Sequence, residues 1–108
     1  MIIPAYNEEL SIENTIKKIT KYNNESINKI DYVIINDGST DNTKQICEKN
    51  NYNVINLIYN LGIGGAVQTG YKYAIKNNYD VAIQFDGDGQ HDENYIDSLV
   101  KEIEVGAN

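Results

Sequence analysis

The carboxylates of Asp86, Asp88 and Asp92 recur at close spacing in the segment Gln84-Phe85-Asp86-Gly87-Asp88-Gly89-Gln90-His91-Asp92. Hard oxygen donors in such an array suit magnesium or manganese. These ions take one or two protein carboxylates and fill the rest of an octahedral shell with water and substrate phosphate. A divalent cation holding a phosphorylated ligand is therefore the first expectation. Asp and Gly are also ordinary turn residues, so a solvated turn is the competing reading. An EF-hand reading of Asp86, Asp88, Gln90, Asp92 and Asn94 fits poorly, because His91 stands where the loop's glycine belongs and Asp97 where its bidentate glutamate belongs.

Other polar segments could join this chemistry. Asp37, in Asp37-Gly38-Ser39-Thr40-Asp41, can accept hydrogen bonds from the N–H groups of a base, while Asp86 or Asp88 holds a metal on a diphosphate. The same segment reads equally as a turn followed by a helix cap. Tyr6-Asn7-Glu8-Glu9 is either a ligand loop or a solvated helix entry, acids being favoured in the first turn by the helix dipole. Asn60-Leu61-Gly62-Ile63-Gly64-Gly65 reads as close helix–sheet packing. It also resembles the opening of a dinucleotide fingerprint, and hence an NAD-dependent oxidoreductase, with Asp86 at a fitting distance onward. Val67 occupies the place of that fingerprint's third glycine, however, and the motif normally follows the first strand.

These segments need elements to position them, and apolar runs alternate with helical patterns along the whole chain. That alternation predicts βαβ units and a mostly parallel sheet. The expected strands are Met1-Ile2-Ile3 ended by Pro4, Tyr32 to Ile35 ended by Asn36-Asp37-Gly38, Val54 to Tyr59, and Val81 to Phe85. Ile12, Ile16 and Ile19 mark a first helix, Ile46 and Cys47 a second, and the apolar face from Ile63 to Ile75, including Gly70, a third. Ile96, Leu99, Val100 and Ile103 mark a fourth, with Asp92 as its cap. Ser39, Thr40 or Asp41 can cap the second. In such a sheet ligands bind beyond the carboxyl ends of the strands, where all four polar segments fall.

The chain has 108 residues, enough for one domain, and a formal charge of −7. That charge argues against nucleic acid or an anionic membrane as a partner bound through a basic patch. Cys47 is the sole cysteine, which excludes an internal disulfide or a cysteine-based zinc site and fits a small core residue in a reducing compartment. No apolar run approaches the length of a membrane span and no leader pattern opens the chain, so the expectation is a cytoplasmic chain. The short first strand and the stop just after a helix read as a domain truncated at its C-terminal end, with an exposed sheet edge that invites homo-oligomers.

Ile2-Ile3-Pro4-Ala5-Tyr6-Asn7-Glu8-Glu9, Val33 to Thr43, Asn60 to Gly70 and Asp86-Gly87-Asp88-Gly89-Gln90-His91 together resemble the family 2 glycosyltransferases in order, spacing and letters. The resemblance runs through nearly the whole chain and is nearest to the dolichol- or polyprenyl-phosphate sugar transferase branch. It implies an α/β fold of the GT-A type: an incomplete domain, residues 1–108, with a Rossmann-like parallel sheet of about four strands flanked by helices. It implies that Pro4, Ala5, Tyr6 and Glu8 line the base and ribose, that Asp37 bonds the base, and that Gly64 brings backbone close to the donor. Asp86 contacts the ribose or, with Asp88 and Gln90, holds Mg2+ or Mn2+ against the diphosphate. The implied reaction is inverting transfer of a sugar from a nucleoside diphosphate sugar, UDP ahead of GDP, to a polyprenyl phosphate or a saccharide. The parent protein is then membrane-associated. Relatives carry a basic residue near the place of Ile63, and their general base lies beyond the metal motif. No catalytic base is therefore assigned. The alternative is a nucleotide-binding module without transfer activity, and His91 reads as a hydrogen-bond partner beside the metal loop.

Overall fold

The structure is a computed structural model that describes residues 1–26, 29–79 and 82–84. Its elements are β1 (Ile2–Ala5), α1 (Ile12–Glu25), β2 (Val33–Asp37), α2 (Thr43–Lys49), β3 (Val54–Leu57) and α3 (Gly62–Lys76). The strands form a parallel sheet in the order β1-β2-β3. Ile3 pairs with Ile34 and Ala5 with Asn36, while Asn36 pairs in turn with Asn56.

Successive residues of each strand feed opposite layers, as the two-residue period requires. Ile3, Ala5 and Ile34 pack with Ile12, Ile16 and Ile19 of α1 and Cys47 of α2. Ile2, Val33 and Ile35 pack on the other face against Ala66 of α3. The result is a sheet covered by helices on both sides, and each fully buried isoleucine contributes about 1.5–3 kcal/mol relative to exposure. Cys47 is a core residue, its thiol pushed up to about 11 by burial and, secondarily, by the charge of Glu48.

Helix α3 meets the sheet through small residues, Ala66, Gly70 and Ala74 being its buried positions. A Cβ on Gly70 would lie 2.3 Å from Ile2 Cγ2, so the close helix–sheet approach is made at Gly70. This corrects the packing expected of Gly62 and Gly64, where a Cβ would meet nothing within 4 Å.

Two strand boundaries also differ from expectation. Pro4 lies inside β1 and does not end it. The Ile2 N–H bonds Ile83 on the side away from β2, and by the alternation of the ladder Pro4 faces that same side, so its missing N–H removes no β1–β2 bond. Asn36 and Asp37 continue β2 as buried residues, with Asn36 Nδ2 donating to Asn56 Oδ1 and Asp37 Oδ1 accepting the Leu61 N–H. Conversely β3 stops at Leu57, short of Tyr59.

Of the expected fourth strand, Val81 and Phe85 lie outside the described residues. Ile83 accepts the Ile2 N–H at 2.6 Å and Gln84 bridges Ile2 in parallel. The chain therefore moves outward from β1 to β3 and then returns to the other flank of β1. Such a reversal of strand order is where open α/β sheets bind ligands. The expected fourth helix and its cap Asp92 also lie outside the described residues. No helix among the described residues is long and apolar enough to cross a membrane.

Candidate functional site

β1 and β2 end side by side, and the loops that leave them are tied together by side chains. Asn7 adopts the left-handed conformation, φ 54°, which asparagine tolerates better than most residues. Its N–H donates to Ser39 Oγ at 3.0 Å, and its Oδ1 accepts from Thr40 N at 2.8 Å, Thr40 Oγ1 at 3.3 Å and Asp41 N at 3.3 Å. The Glu8 N–H donates to Thr43 Oγ1 at 2.9 Å and the Glu9 N–H to Asp41 Oδ2 at 3.2 Å. Ser39 Oγ donates to Asn36 Oδ1, and Asn36 Nδ2 donates to Asn56 Oδ1 across the sheet at 2.9 Å.

Asp41 Oδ1 accepts the Thr43 N–H at 2.9 Å, so the segment Ser39 to Asp41 serves as the turn that leads into α2, whose N-cap position is Asn42 rather than the expected Ser39, Thr40 or Asp41. Burial alone would raise its carboxyl, but hydrogen bonds from Thr43 Oγ1, Thr43 N and Glu9 N outweigh that effect and hold it below the ordinary carboxylate value.

Beyond these strand ends lies an open cleft of about 290 Å³. Pro4, Ala5, Tyr6 and Glu8 line it from β1 and its loop, Asn60, Gly62 and Ile63 line it from the β3–α3 connection, and Asp37 and Ala66 complete the lining. Five of the residues implied by the family resemblance are thus brought to one cavity. Gly64 is not among its lining residues.

Asp37 is only 4% exposed. Its Oδ1 accepts the Leu61 N–H at 2.7 Å, and its backbone carbonyl accepts from Asn60 Nδ2 at 3.2 Å. Beside it Gly38 has φ 69°, and a Cβ there would lie 2.7 Å from Asn60 N and 2.9 Å from the Tyr59 carbonyl carbon. Glycine is required on both counts, and its absence of a side chain lets the two loops touch. Gly62 begins α3 at φ 81°, a conformation that L side chains rarely adopt. Glu8 Oε2 accepts from Ser11 Oγ at 2.8 Å, and Tyr6 presents its ring at the cleft. A flat base with N–H donors and a hydroxyl-rich sugar match this mixture of apolar surface, one aromatic ring and two carboxylates.

A larger opening, about 400 Å³, lies at the opposite end of the sheet and includes Asp31, Tyr32, Asn53 and Tyr79. Its polar groups serve one another. Tyr79 donates to Asp31 Oδ2 at 2.8 Å, and Asn53 Nδ2 reaches Tyr32 O at 2.9 Å and Tyr73 Oη at 3.1 Å. Volume is therefore a poor guide here. The smaller cleft is the one at the carboxyl ends of the strands.

Asp86, Asp88 and Gln90, with His91, lie outside the described residues. Among the described residues no group of three or more His, Cys, Asp or Glu side chains could hold a metal ion. The contribution that sequence reasoning passed over is Asn7. Its only local signal is an asparagine directly after a strand, and its partners lie more than thirty residues away.

Comparison with known proteins bears on the whole chain. The family model described as glycosyl transferase family 2 matches residues 1–108. A UDP-N-acetylglucosamine–dolichyl-phosphate N-acetylglucosaminyltransferase of Methanococcus voltae is 36% identical over 120 residues, covering 95% of this chain and 46% of that protein. An undecaprenyl-phosphate mannosyltransferase of Micrococcus luteus is 26% identical over 107 residues, covering 94% of this chain and 42% of that one. The chain thus spans less than half the length of these curated relatives. Among solved structures, glucosyl-3-phosphoglycerate synthase from Mycobacterium tuberculosis in complex with UDP superposes with a TM-score of 0.66 at 22% identity, covering 94% of this chain and 38% of that one. That likeness identifies the fold as GT-A.

Proposed function

Because the chain belongs to glycosyl transferase family 2, we propose that it is the donor-binding part of an enzyme that transfers a sugar, with inversion, from a nucleoside diphosphate sugar. UDP-linked donors are placed ahead of GDP-linked ones, and the acceptor is a polyprenyl phosphate ahead of a saccharide. The observation that carries the reading is the cleft itself. Pro4, Ala5, Tyr6 and Glu8 meet Asp37 in one cavity although a helix and a strand separate them in sequence. The acceptor preference is supported by relatives whose names specify dolichyl and undecaprenyl phosphate, and it makes the parent protein membrane-associated.

Asp37 accepts an N–H of the base, Tyr6 and Pro4 bound the ring, and Glu8 accepts from ribose hydroxyls. Asp86, Asp88 and Gln90 offer a hard oxygen donor set that fits Mg2+ or Mn2+. When bound, the ion supplies Lewis-acid neutralisation of the departing diphosphate. No residue of this chain is assigned as the general base for the acceptor, and this chain by itself is expected to bind the donor without turning it over.

Isothermal calorimetry with UDP and GDP, each with and without manganese, tests the reading. Manganese-dependent binding of at least one nucleotide is expected. Binding of neither, by a chain shown to be folded by circular dichroism, would overturn it.

A further inference from the structure

We propose that the β3–α3 connection and the outer flank of α3 form a docking face for a lipid bilayer, which brings the mouth of the cleft to the membrane surface. The inference rests on the reading of a lipid-linked acceptor above and adds what that reading leaves open, namely which side of the molecule meets the lipid.

Among the described residues nine large apolar side chains are exposed, and six of them, Ile58, Tyr59, Leu61, Ile63, Tyr71 and Ile75, fall within this one stretch of chain. The pattern on α3 is regular. Ala66, Gly70 and Ala74 are its buried positions, and each is followed by a larger apolar residue, Val67, Tyr71 or Ile75, turned about 100° round the helix from it. Ile63 extends this second stripe by one turn and reaches the cleft, which it lines with Asn60 and Gly62. The helix thus carries more apolar surface than its contact with the sheet uses. A gathering of exposed apolar side chains of this kind marks a site of interaction.

Charge says what covers it. Between Glu48 and Asp80 the sequence holds no acid, although the chain has 16 acids in all. The charged residues of that interval are Lys49, Lys72 and Lys76. Lys72 and Lys76 are exposed and follow Tyr71 and Ile75 by one position each, which sets them along the solvent edge of the stripe. Isoleucine and tyrosine edged by lysine suit the boundary between acyl chains and anionic headgroups, where lysine stems lie along apolar surface and their ammonium groups reach phosphate. The acids that give the chain its charge of −7 lie outside this interval, and at physiological salt charges farther than about 8 Å are largely screened. A second copy of the chain suits the face poorly. A two-fold interface would bring the lysines of both copies into one patch, with no acid of the interval to answer them.

The consequence is positional. Ile63 belongs both to the stripe and to the cleft, so seating the stripe in the headgroup layer holds the cleft where a polyprenyl phosphate presents its phosphate.

The chain contains no tryptophan, so a single introduced indole reports its own surroundings. The test mixes Tyr71→Trp and, as a reference in the β1–α1 loop, Leu10→Trp with vesicles of phosphatidylcholine, alone or mixed with phosphatidylglycerol, at physiological salt. The chain is expected to sediment with both, about fivefold more tightly with the phosphatidylglycerol mixture. Emission from Tyr71→Trp should shift to the blue and be quenched by brominated phosphatidylcholine, while that from Leu10→Trp stays unmoved. Tyr71→Ser combined with Ile75→Ser should weaken binding to both vesicles about tenfold or more. Lys72→Glu combined with Lys76→Glu should abolish the preference for phosphatidylglycerol. All these positions are exposed, so circular dichroism should show the native fold in every variant.

Absence of binding to either vesicle, or equal quenching at positions 71 and 10, would overturn the inference. So would a blue shift in Tyr71→Trp that grows with chain concentration in the absence of lipid, which would give the face to a second copy. Calorimetry with UDP and manganese keeps the two readings apart. Nucleotide binding without vesicle binding leaves the donor reading intact, and vesicle binding through Tyr71 without nucleotide binding overturns the donor reading instead.

Discussion

On the β1–β2 side of the cleft, Asn7 alone makes four hydrogen bonds to Ser39, Thr40 and Asp41. On the β3–α3 side, Ile58, Tyr59 and Ile63 are 87%, 77% and 67% exposed, and the connection is fixed chiefly where it touches Asp37 and Gly38. The first wall is a web in which several bonds share one task, so the loss of any one leaves the others. The second hangs on a seam of backbone contact. Redundancy and single-point attachment therefore sit across one cavity, and substitutions should report the difference.

The seam should be the more fragile. Gly38→Ala places a Cβ against the Asn60 backbone and forces an L residue to φ 69°, at a combined cost of about 3 kcal/mol. Urea unfolding measures this, and a loss under 1 kcal/mol would show that the two loops separate freely. Asn7→Ala deletes an acceptor shared by three donors yet leaves the Glu8–Thr43 and Glu9–Asp41 bonds, so about 1–2 kcal/mol is expected from the same experiment.

Asp41 sharpens the comparison through pH. Its folded carboxyl sits below the ordinary value of 3.8, so its contribution is present above that pH and fades as pH falls through the lower folded value. Asp41→Asn should flatten that part of the acid unfolding curve, and identical curves for the two proteins would remove Asp41 from the web. The smallest stability effect belongs to the open wall. Ile63→Arg should change stability by under about 0.5 kcal/mol, as exposed substitutions do. It should also raise UDP affinity a few-fold in low salt and less in high salt, because the added charge is screened. A salt-independent change would place position 63 away from the diphosphate.

Much of this architecture was legible as pattern. The unbroken apolar runs Ile2-Ile3 and Val33-Ile34-Ile35 announced strands of a parallel sheet, and Ile12, Ile16 and Ile19 announced one stripe of a helix. The polar stretches after the strands pointed to the sheet end where the cleft lies. The misread positions share a physical cause, namely that local chemistry was overruled by distant partners. Asn36 and Asp37 look like turn residues, yet Asn36 is held inside β2 by Asn56 and Ser39, and Asp37 is buried against Leu61. Gly62 and Gly64 draw the eye as a motif, whereas Gly70 makes the close contact because it happens to cross Ile2. That crossing depends on how α3 lies over the sheet, which no local window records. Asn7 is the same lesson at the site, since its function as a tie exists only when β1 and β2 are paired.

Pro4 has a meaning for the chain during its synthesis. The flank of β1 that faces away from β2 is completed by Ile83 and Gln84, which emerge only after all three described helices. Until then a nascent chain carries a hydrophobic strand with one side open to pairing with another molecule. A proline on that side withdraws one N–H and stiffens the backbone where an intruding strand would dock. The residue expected to cut the first strand short thus leaves that open side with one donor fewer for another strand to pair with.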